Sequence, residues 1–340
     1  MRQIWITRTG PPETLELREA PDPTPGPGEV RIRSKACGIN FADIMARIGL
    51  YPDAPKLPAV VGYEVAGPVD AVGPGVTAVK IGDEVLALTR FGGYSDTVVV
   101  SEDQAYAIPA GFTCSQAVAL PVNYVTAYQM IFVMGAVKPG DKVLVHSAGG
   151  GVGFAAIDLC AIAGAEIIGT ASAAKHGMLQ TRGVKHCIDY RTQDFEAEVM
   201  RITNGKGVDI ILDSVGGKSW AKGLRCLRPT GRLVVFGFSN VATGKKLNPI
   251  SALRGMLAVP WFKVNPMWLM DNNKGVLGVN VGHLWEEREM VAGWMRQILT
   301  WCEEGKIHPT VDSEFSFGDA ARAHHHIQDR KNVGKVVLVP

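Results

Sequence analysis

KVLVHSAGGGVG, residues 142–153, decides how this chain is read: a short β-type run leads through consecutive glycines into a helical pattern. A strand that turns through glycines into a helix leaves free N–H groups and the positive end of the helix dipole facing any phosphate lodged there. Gly150 would let backbone approach such a phosphate, and Gly153 would let helix and strand pack closely. Ala148 stands where the first glycine of the usual dinucleotide fingerprint would be. The match is therefore AxGxxG, over Ala148, Gly149, Gly150, Gly151, Val152 and Gly153. A glycine pattern alone is a weak signal; its place at the first strand-to-helix turn of an alternating series gives it weight.

Working outward, the β-type runs EIIGTA, HCIDY, VDIILDSV, GRLVVFG and GVLGVNV alternate with helical stretches to about residue 163, from about 174, and around 195–203 and 219–227. Such alternation predicts an α/β, doubly wound parallel sheet of the Rossmann kind. Upstream, short apolar runs such as VRIRSKACGI and DEVLAL are broken by Gly and Pro, which predicts a mostly β, barrel-like domain. Beyond the sixth strand, an amphipathic stretch (Glu286 to Glu304), a helix (Gly318 to Gln328) and the strand KVVLVP are expected to rejoin that first domain. The expected division is 1–122, 123–282 and 283–340.

Composition narrows the function classes. Of the 340 residues 20% are charged and the net charge is +2, which argues against a nucleic-acid partner and for a small molecule. Six scattered cysteines fit buried thiols in a reducing compartment better than a disulfide framework. MRQIWITRTG does not read as a secretory signal. The apolar stretch Ala117 to Val137 is interrupted by Pro121, Asn123 and Gln129, so a buried helix is expected rather than an integral membrane segment. A cytoplasmic protein is the expectation.

A chain that binds NAD carries Asp or Glu about 20 residues after the glycine turn, to bond the ribose 2′-hydroxyl. Here the second strand ends in GTASAAKH with no acid, and Ser172 and Lys175 offer a donor and a cation suited to a 2′-phosphate. NADPH is the expected cofactor.

ACGINFAD, GYEVAG, VTAY, AGGGVG and NVGKVVLVP stand in the order and spacing of the medium-chain dehydrogenase/reductase superfamily, which the chain resembles over essentially its whole length. Within it the sequence is similar to the zinc-free quinone oxidoreductases, zeta-crystallin among them, and most of all to the branch related to the vesicle amine transport protein, through LPVNYVTAY, FVMGAVKPGDKVLVH and GTASAAKH. The resemblance implies a GroES-like fold for the β domain. It also implies that Asn40, Tyr63 and Val122 occupy the three zinc-ligand positions of the alcohol dehydrogenases. None is a usual zinc ligand, so no metal is expected. The hydroxyl and histidine of the alcohol proton relay are matched by Ala42 and Met45, which removes that path as well.

Hydride can pass without a metal to a quinone or other α,β-unsaturated carbonyl, because the charge moves onto an oxygen that donors can stabilise. The candidates are Asn40, Tyr51 and Tyr63, with Asn40 or Asp43 orienting the nicotinamide or ribose. Glu64 reads as structural rather than as a catalytic acid. The resemblance places Thr126 beside the nicotinamide and Tyr190 near the adenosine phosphate. It runs Gly237, Phe238, Ser239 and Asn240 along the cofactor with Leu277 and Val279 of the sixth strand, and brings Lys335 toward the pyrophosphate. His324, His325 and His326, being consecutive on a helix, cannot share one metal and are expected on an exposed face. The expected protein is a homodimer joined through GVLGVNV. The rival reading is a nucleotide-binding, membrane-associated protein whose contact surface is Leu253 to Met270, rich in Trp, Met and Pro.

Overall fold

Period-two apolar patterning between turn residues makes the first third of the chain a set of short strands. A computed structural model describes residues 1–241 and 264–340, with residues 244, 250, 253, 257 and 259 between them. These fall into two units, one holding Met1–Val125 and Gly282–Pro340, the other built from residues between Thr126 and Val281.

The first unit begins with β1 (Arg2–Ile6), β2 (Leu15–Glu19), β3 (Glu29–Arg33) and β4 (Ala36–Ile39), and then α1 (Phe41–Ile48). It continues with β5 (Ala59–Val60), β6 (Glu64–Val72), β7 (Glu84–Leu88), β8 (Thr97–Ser101) and β9 (Ala105–Ala107). Asn40 is the N-cap of α1 and Gly49, at φ 82°, ends it in the left-handed conformation that glycine adopts freely. The apolar sequence from residue 114 forms α2 (Cys114–Ala117), α3 (Pro121–Tyr128) and a π-helical turn (Gln129–Met134). Cys114–Met134 is apolar and long enough to cross a membrane, but 72% of its most apolar window is buried inside the protein, as the interrupting polar residues predict.

In the second unit six strands run parallel: β10 (Lys142–Val145), β11 (Glu166–Ala171), β12 (His186–Asp189), β13 (Val208–Asp213), β14 (Leu227–Val235) and β15 (Gly275–Gly278). Their order is β12-β11-β10-β13-β14-β15. The chain winds outward from β10 in one direction, then returns and winds in the other. This is the doubly wound arrangement, whose ligand crevice lies at the carboxyl ends of the strands. The helices α4 (Gly151–Ile162), α5 (His176–Thr181), α6 (Phe195–Ile202) and α7 (Lys218–Cys226) make the crossovers, and α8 (Pro266–Asn272) precedes β15. Leu144, Ile168, Ile188, Ile211 and Leu233, one from each of the first five strands, pack into one core.

Past the second unit come α9 (Arg288–Glu303), β16 (Val311–Ser316), α10 (Ala320–Gln328) and β17 (Lys335–Val339). β17 lies parallel to β16 and antiparallel to β4, with Val336 opposite Ile39 and Leu338 opposite Cys37. The tail thus rejoins the first unit, whose core contains Ile4, Ile32, Val65, Phe317, Val336 and Leu338. All six cysteines are free. Of the segment Leu253 to Met270, residues 254–256, 258 and 260–263 lie outside the described residues; of the rest, Leu253, Leu257, Met267 and Met270 are at least 59% exposed.

Candidate active site

In the second unit the cofactor candidates gather at the carboxyl ends of the strands. The turn after β10 enters α4 at Gly150, whose extended backbone caps the helix with no side-chain hydrogen bond, so the first N–H groups stay available to a ligand. A Cβ on Gly153 would stand 2.5 Å from the carbonyl oxygens of both Ser147 and Ala148, so only glycine allows this close approach of helix to turn. A Cβ on Gly149 would meet Lys175 Cδ at 2.6 Å. The stem of Lys175 therefore lies across the glycine turn, although it follows the next strand. Ser172, 6% exposed, is the N-cap of the short 3-10 turn Ala173–Lys175. The residues that end β11 and follow it, Ala171 to Lys175, include no acid.

Tyr190 follows β12 and is 39% exposed. After β14, Gly237 to Asn240 is stitched to the turn after β13: Ser239 N donates to Ser214 O at 3.0 Å and Asn240 Nδ2 to Gly216 O at 2.9 Å. The Phe238 ring covers Gly216 and stacks on Trp220 at 5.2 Å. Leu277 lies on β15, and Val279 N donates to Val235 O at 2.9 Å. Thr126 is half-buried in α3.

Two features of this crest were not read from the sequence. Ser147, at φ 54°, accepts a hydrogen bond from Ser214 Oγ at 3.0 Å, joining the turns after β10 and β13. Asp213, fully buried, accepts from the N–H groups of Val215 and Gly216 at 2.6 and 3.0 Å and from Ser219 Oγ at 2.6 Å, which shapes the turn that carries Ser214. A buried Asp at the end of a strand is the signal that was available for it.

The first unit carries a buried polar cluster. Glu64 is fully buried at the start of β6, Lys335 is 2% exposed at the start of β17 and Asn40 is 9% exposed after β4. Asn40 Nδ2 donates to Glu64 Oε1 at 2.9 Å, Lys335 Nζ donates to Asn40 Oδ1 at 2.7 Å and also pairs with Glu64 Oε1, and Val122 N donates to Glu64 Oε2 at 2.8 Å. The Lys335 ammonium is thus held by Glu64 and Asn40. The reason is register, since β17 pairs with β4 so that Lys335 falls opposite Asn40. Breaking a buried pair leaves one charge uncompensated, whereas removing both partners does not. Glu64→Leu is expected to lower the unfolding free energy by about 3 kcal/mol, and adding Lys335→Met to recover most of it. Urea melts of the two variants check this.

Asp43, also fully buried, accepts from Asn40 N at 2.7 Å and from Gly62 N at 3.0 Å. Burial pushes its carboxyl up to about 7, with the Asn40 N–H, the Lys335 charge and the Gly62 N–H pulling the other way. The expectation that the three histidines share an exposed face is corrected. His324 is fully buried with Nε2 3.0 Å from the Tyr94 hydroxyl, while His325 and His326 turn to Glu13 and Asp312 at 2.6 and 2.7 Å. Helical rotation does separate the three rings, and the one that faces inward meets, through Nε2, a tyrosine far away in sequence.

The catalytic candidates Tyr51 and Tyr63 meet edge to face, ring centroids 6.4 Å apart, and the Phe91 ring centroid lies 5.3 Å from that of Tyr63. The Tyr63 hydroxyl is shielded from solvent and meets no hydrogen-bond partner of ordinary geometry among the described residues. Burial pushes the Tyr51 and Tyr63 phenols upward, so both remain proton donors at neutral pH.

With these elements in place, likeness to known proteins becomes decisive. Residues 26–110 match the family described as alcohol dehydrogenase GroES-like domain, and residues 182–338 the family described as zinc-binding dehydrogenase. The synaptic vesicle membrane protein VAT-1 homolog of Homo sapiens is 44% identical over 330 residues, 96% of this chain and 82% of that protein. A quinone oxidoreductase of Pseudomonas aeruginosa is 33% identical over 345 residues, covering 100% of this chain and 99% of its own. The solved structure of Escherichia coli quinone oxidoreductase complexed with NADPH is similar at a TM-score of 0.87 and 31% identity, with 100% of both chains covered. The chain belongs to the medium-chain dehydrogenase/reductase superfamily, as a quinone oxidoreductase-like member.

Membership in a superfamily with zinc-dependent branches makes the metal question concrete. Asn40, Tyr63 and Val122 stand at the expected ligand positions, and in this medium-chain dehydrogenase/reductase they make other contacts. The Asn40 carboxamide is taken up by Glu64 and Lys335, Tyr63 offers only a phenol among aromatic rings, and Val122 offers a backbone N–H to Glu64. Among the described residues no group of three or more His, Cys, Asp or Glu could hold a metal ion. The donor set does not fit zinc.

Proposed function

We propose that the chain is an NADPH-dependent, zinc-independent reductase that transfers hydride to quinones or related α,β-unsaturated carbonyls. The observation that carries this reading is the Tyr63 hydroxyl: a buried donor beside the Tyr51 phenol that makes no hydrogen bond of ordinary geometry among the described residues, kept protonated by its surroundings, at the position where the metal-dependent branches need a ligand. A buried donor without an acceptor costs about 1–3 kcal/mol, which a substrate oxygen would offset. Such a donor suits an oxygen that gains negative charge as hydride arrives at a conjugated carbon. The aromatic rings of Tyr51, Tyr63 and Phe91 suit a flat conjugated molecule.

NADPH, when bound, supplies the hydride, and a proton from solvent or a phenol completes the hydroquinone or saturated carbonyl. The glycine turn and the open start of α4 accept the pyrophosphate, Ser172 and Lys175 the 2′-phosphate, and Tyr190, Gly237 to Asn240, Leu277 and Val279 the remaining length. The NADPH complex of the similar Escherichia coli enzyme supports this choice.

The test is NADPH oxidation by purified protein with a panel of quinones and enones, alongside elemental analysis. Turnover with less than 0.1 equivalent of zinc is expected; no turnover, or turnover abolished by a chelator, overturns the reading. Tyr63→Phe should lower kcat/KM for the best quinone roughly tenfold, or about 1.4 kcal/mol, while the NADPH dissociation constant stays within about twofold. A parallel loss of cofactor affinity would assign Tyr63 to the cofactor instead.

We also propose a cytoplasmic homodimer that pairs the edge strand β15 with its symmetry mate, to be checked by sedimentation equilibrium. A second reading, a nucleotide-binding protein held at a membrane, draws on the exposed Met267 and Met270 of α8 and on the similarity to a vesicle membrane protein. Sedimentation with liposomes would favour it; protein left in the supernatant favours the reductase.

A further inference from the structure

We infer that the Lys335–Glu64 ion pair is a positioning device that locks the carboxamide of Asn40, so that Asn40 keeps its N–H side, and not its carbonyl, for a ligand oxygen. Asn40 sits at the N-cap of α1, where an asparagine side chain ordinarily accepts from the first helical N–H groups. Here Asn40 also pairs with Asp43 in a capping box. Its Nδ2 donates to Glu64 Oε1 at 2.9 Å and its Oδ1 accepts from Lys335 Nζ at 2.7 Å. Reversing the amide would set NH2 against an ammonium and the carbonyl against a carboxylate, two repulsions in a site that is 9% exposed or less at all three residues. One carboxamide N–H stays uncommitted to the pair.

This deepens the reading above, because a fixed donor is what a quinone or enone oxygen requires as charge develops on it. It also makes Lys335 a residue that acts through Asn40 rather than on the pyrophosphate. The variants are Lys335→Met and, to keep the buried charge balanced should that variant not fold, Lys335→Met with Glu64→Gln. The Asn40 carboxamide resonances are assigned by their loss in Asn40→Asp. In whichever variant folds, those resonances are expected to shift and broaden, kcat for the best quinone to fall about tenfold, and the NADPH dissociation constant measured by fluorescence to stay within about threefold. An unchanged carboxamide signal overturns the inference, whether kcat is retained or lost. A tenfold weaker NADPH affinity with that signal unchanged would return Lys335 to the phosphate. If the wild-type protein reduces no quinone or enone, the proposed function fails, while the carboxamide signal still decides whether the pair orients Asn40.

Discussion

Lys175→Glu is expected to weaken NADPH binding by roughly 100- to 1,000-fold and to leave NADH within about threefold of its wild-type affinity. Each part of that figure has a source. A charge-assisted hydrogen bond to a phosphate contributes about 1.5–2 kcal/mol at a half-exposed lysine, where solvent screens it, and reversing the charge replaces attraction by a repulsion of comparable size, for a total near 3–4 kcal/mol. At 1.4 kcal/mol per factor of ten, that spans the stated range. The lysine is well placed for the role because its stem lies over Gly149, within the space a side chain there would fill. NADH lacks the phosphate, so it loses only a distant interaction, and a glutamate here could accept from its ribose hydroxyl. Fluorescence titration of both cofactors at one ionic strength measures the ratio; the salt must be fixed because exposed charges are screened. Equal losses for the two cofactors would remove Lys175 from the 2′-phosphate.

That the nucleotide unit was readable in advance, and much of the other cluster was not, has a physical cause. The turn from Ala148 to Gly153 and the strands on either side are local features. Period two alternates with helical stretches, and a glycine at 153 records a steric demand of its own neighbours, the carbonyls of Ser147 and Ala148. The absence of an acid after β11 is likewise visible in a few consecutive letters. Lys335, by contrast, meets Asn40 across 295 positions of chain, through a register between β17 and β4 that no local pattern states. His324 shows the same limit: helical geometry correctly separates three consecutive rings, but which one turns inward depends on Tyr94, 230 positions away. Tyr63 lay between these cases. Its position could be matched to a ligand site in the sequence, whereas the burial of its hydroxyl and its contacts with the rings of Tyr51 and Phe91 exist only in three dimensions.

Asp43 makes stability depend on pH in a direction opposite to that of most carboxylates. Its carboxyl titrates near 7 in the folded protein, because burial outweighs the two backbone N–H groups and the Lys335 charge, against 3.8 for an ordinary aspartate. Below about pH 4 it is protonated folded and unfolded alike, and its contribution to stability is fully present. Between about 4 and 7 the unfolded chain releases the proton while the folded chain holds it, so stability falls as pH rises, by at most about 1.4 kcal/mol per unit. Above 7 both states are ionised and the loss is complete, near 4 kcal/mol over the whole window. The buried His324 and His146 act the other way: burial lowers both, so the unfolded chain takes up their protons first and stability drops as pH falls below about 6.5. The two slopes overlap, so the raw pH profile of the wild-type protein conceals them. The difference between wild type and Asp43→Asn isolates one. Asparagine has no proton to hold and cannot accept from both Asn40 N and Gly62 N, so the variant is less stable at every pH, and the gap should narrow steadily from pH 4 to 7 and stay level above. Urea melts at half-unit pH steps measure it; a gap that stays level over that window would mean that the folded protein holds Asp43 ionised throughout, with the backbone N–H groups and Lys335 prevailing over burial.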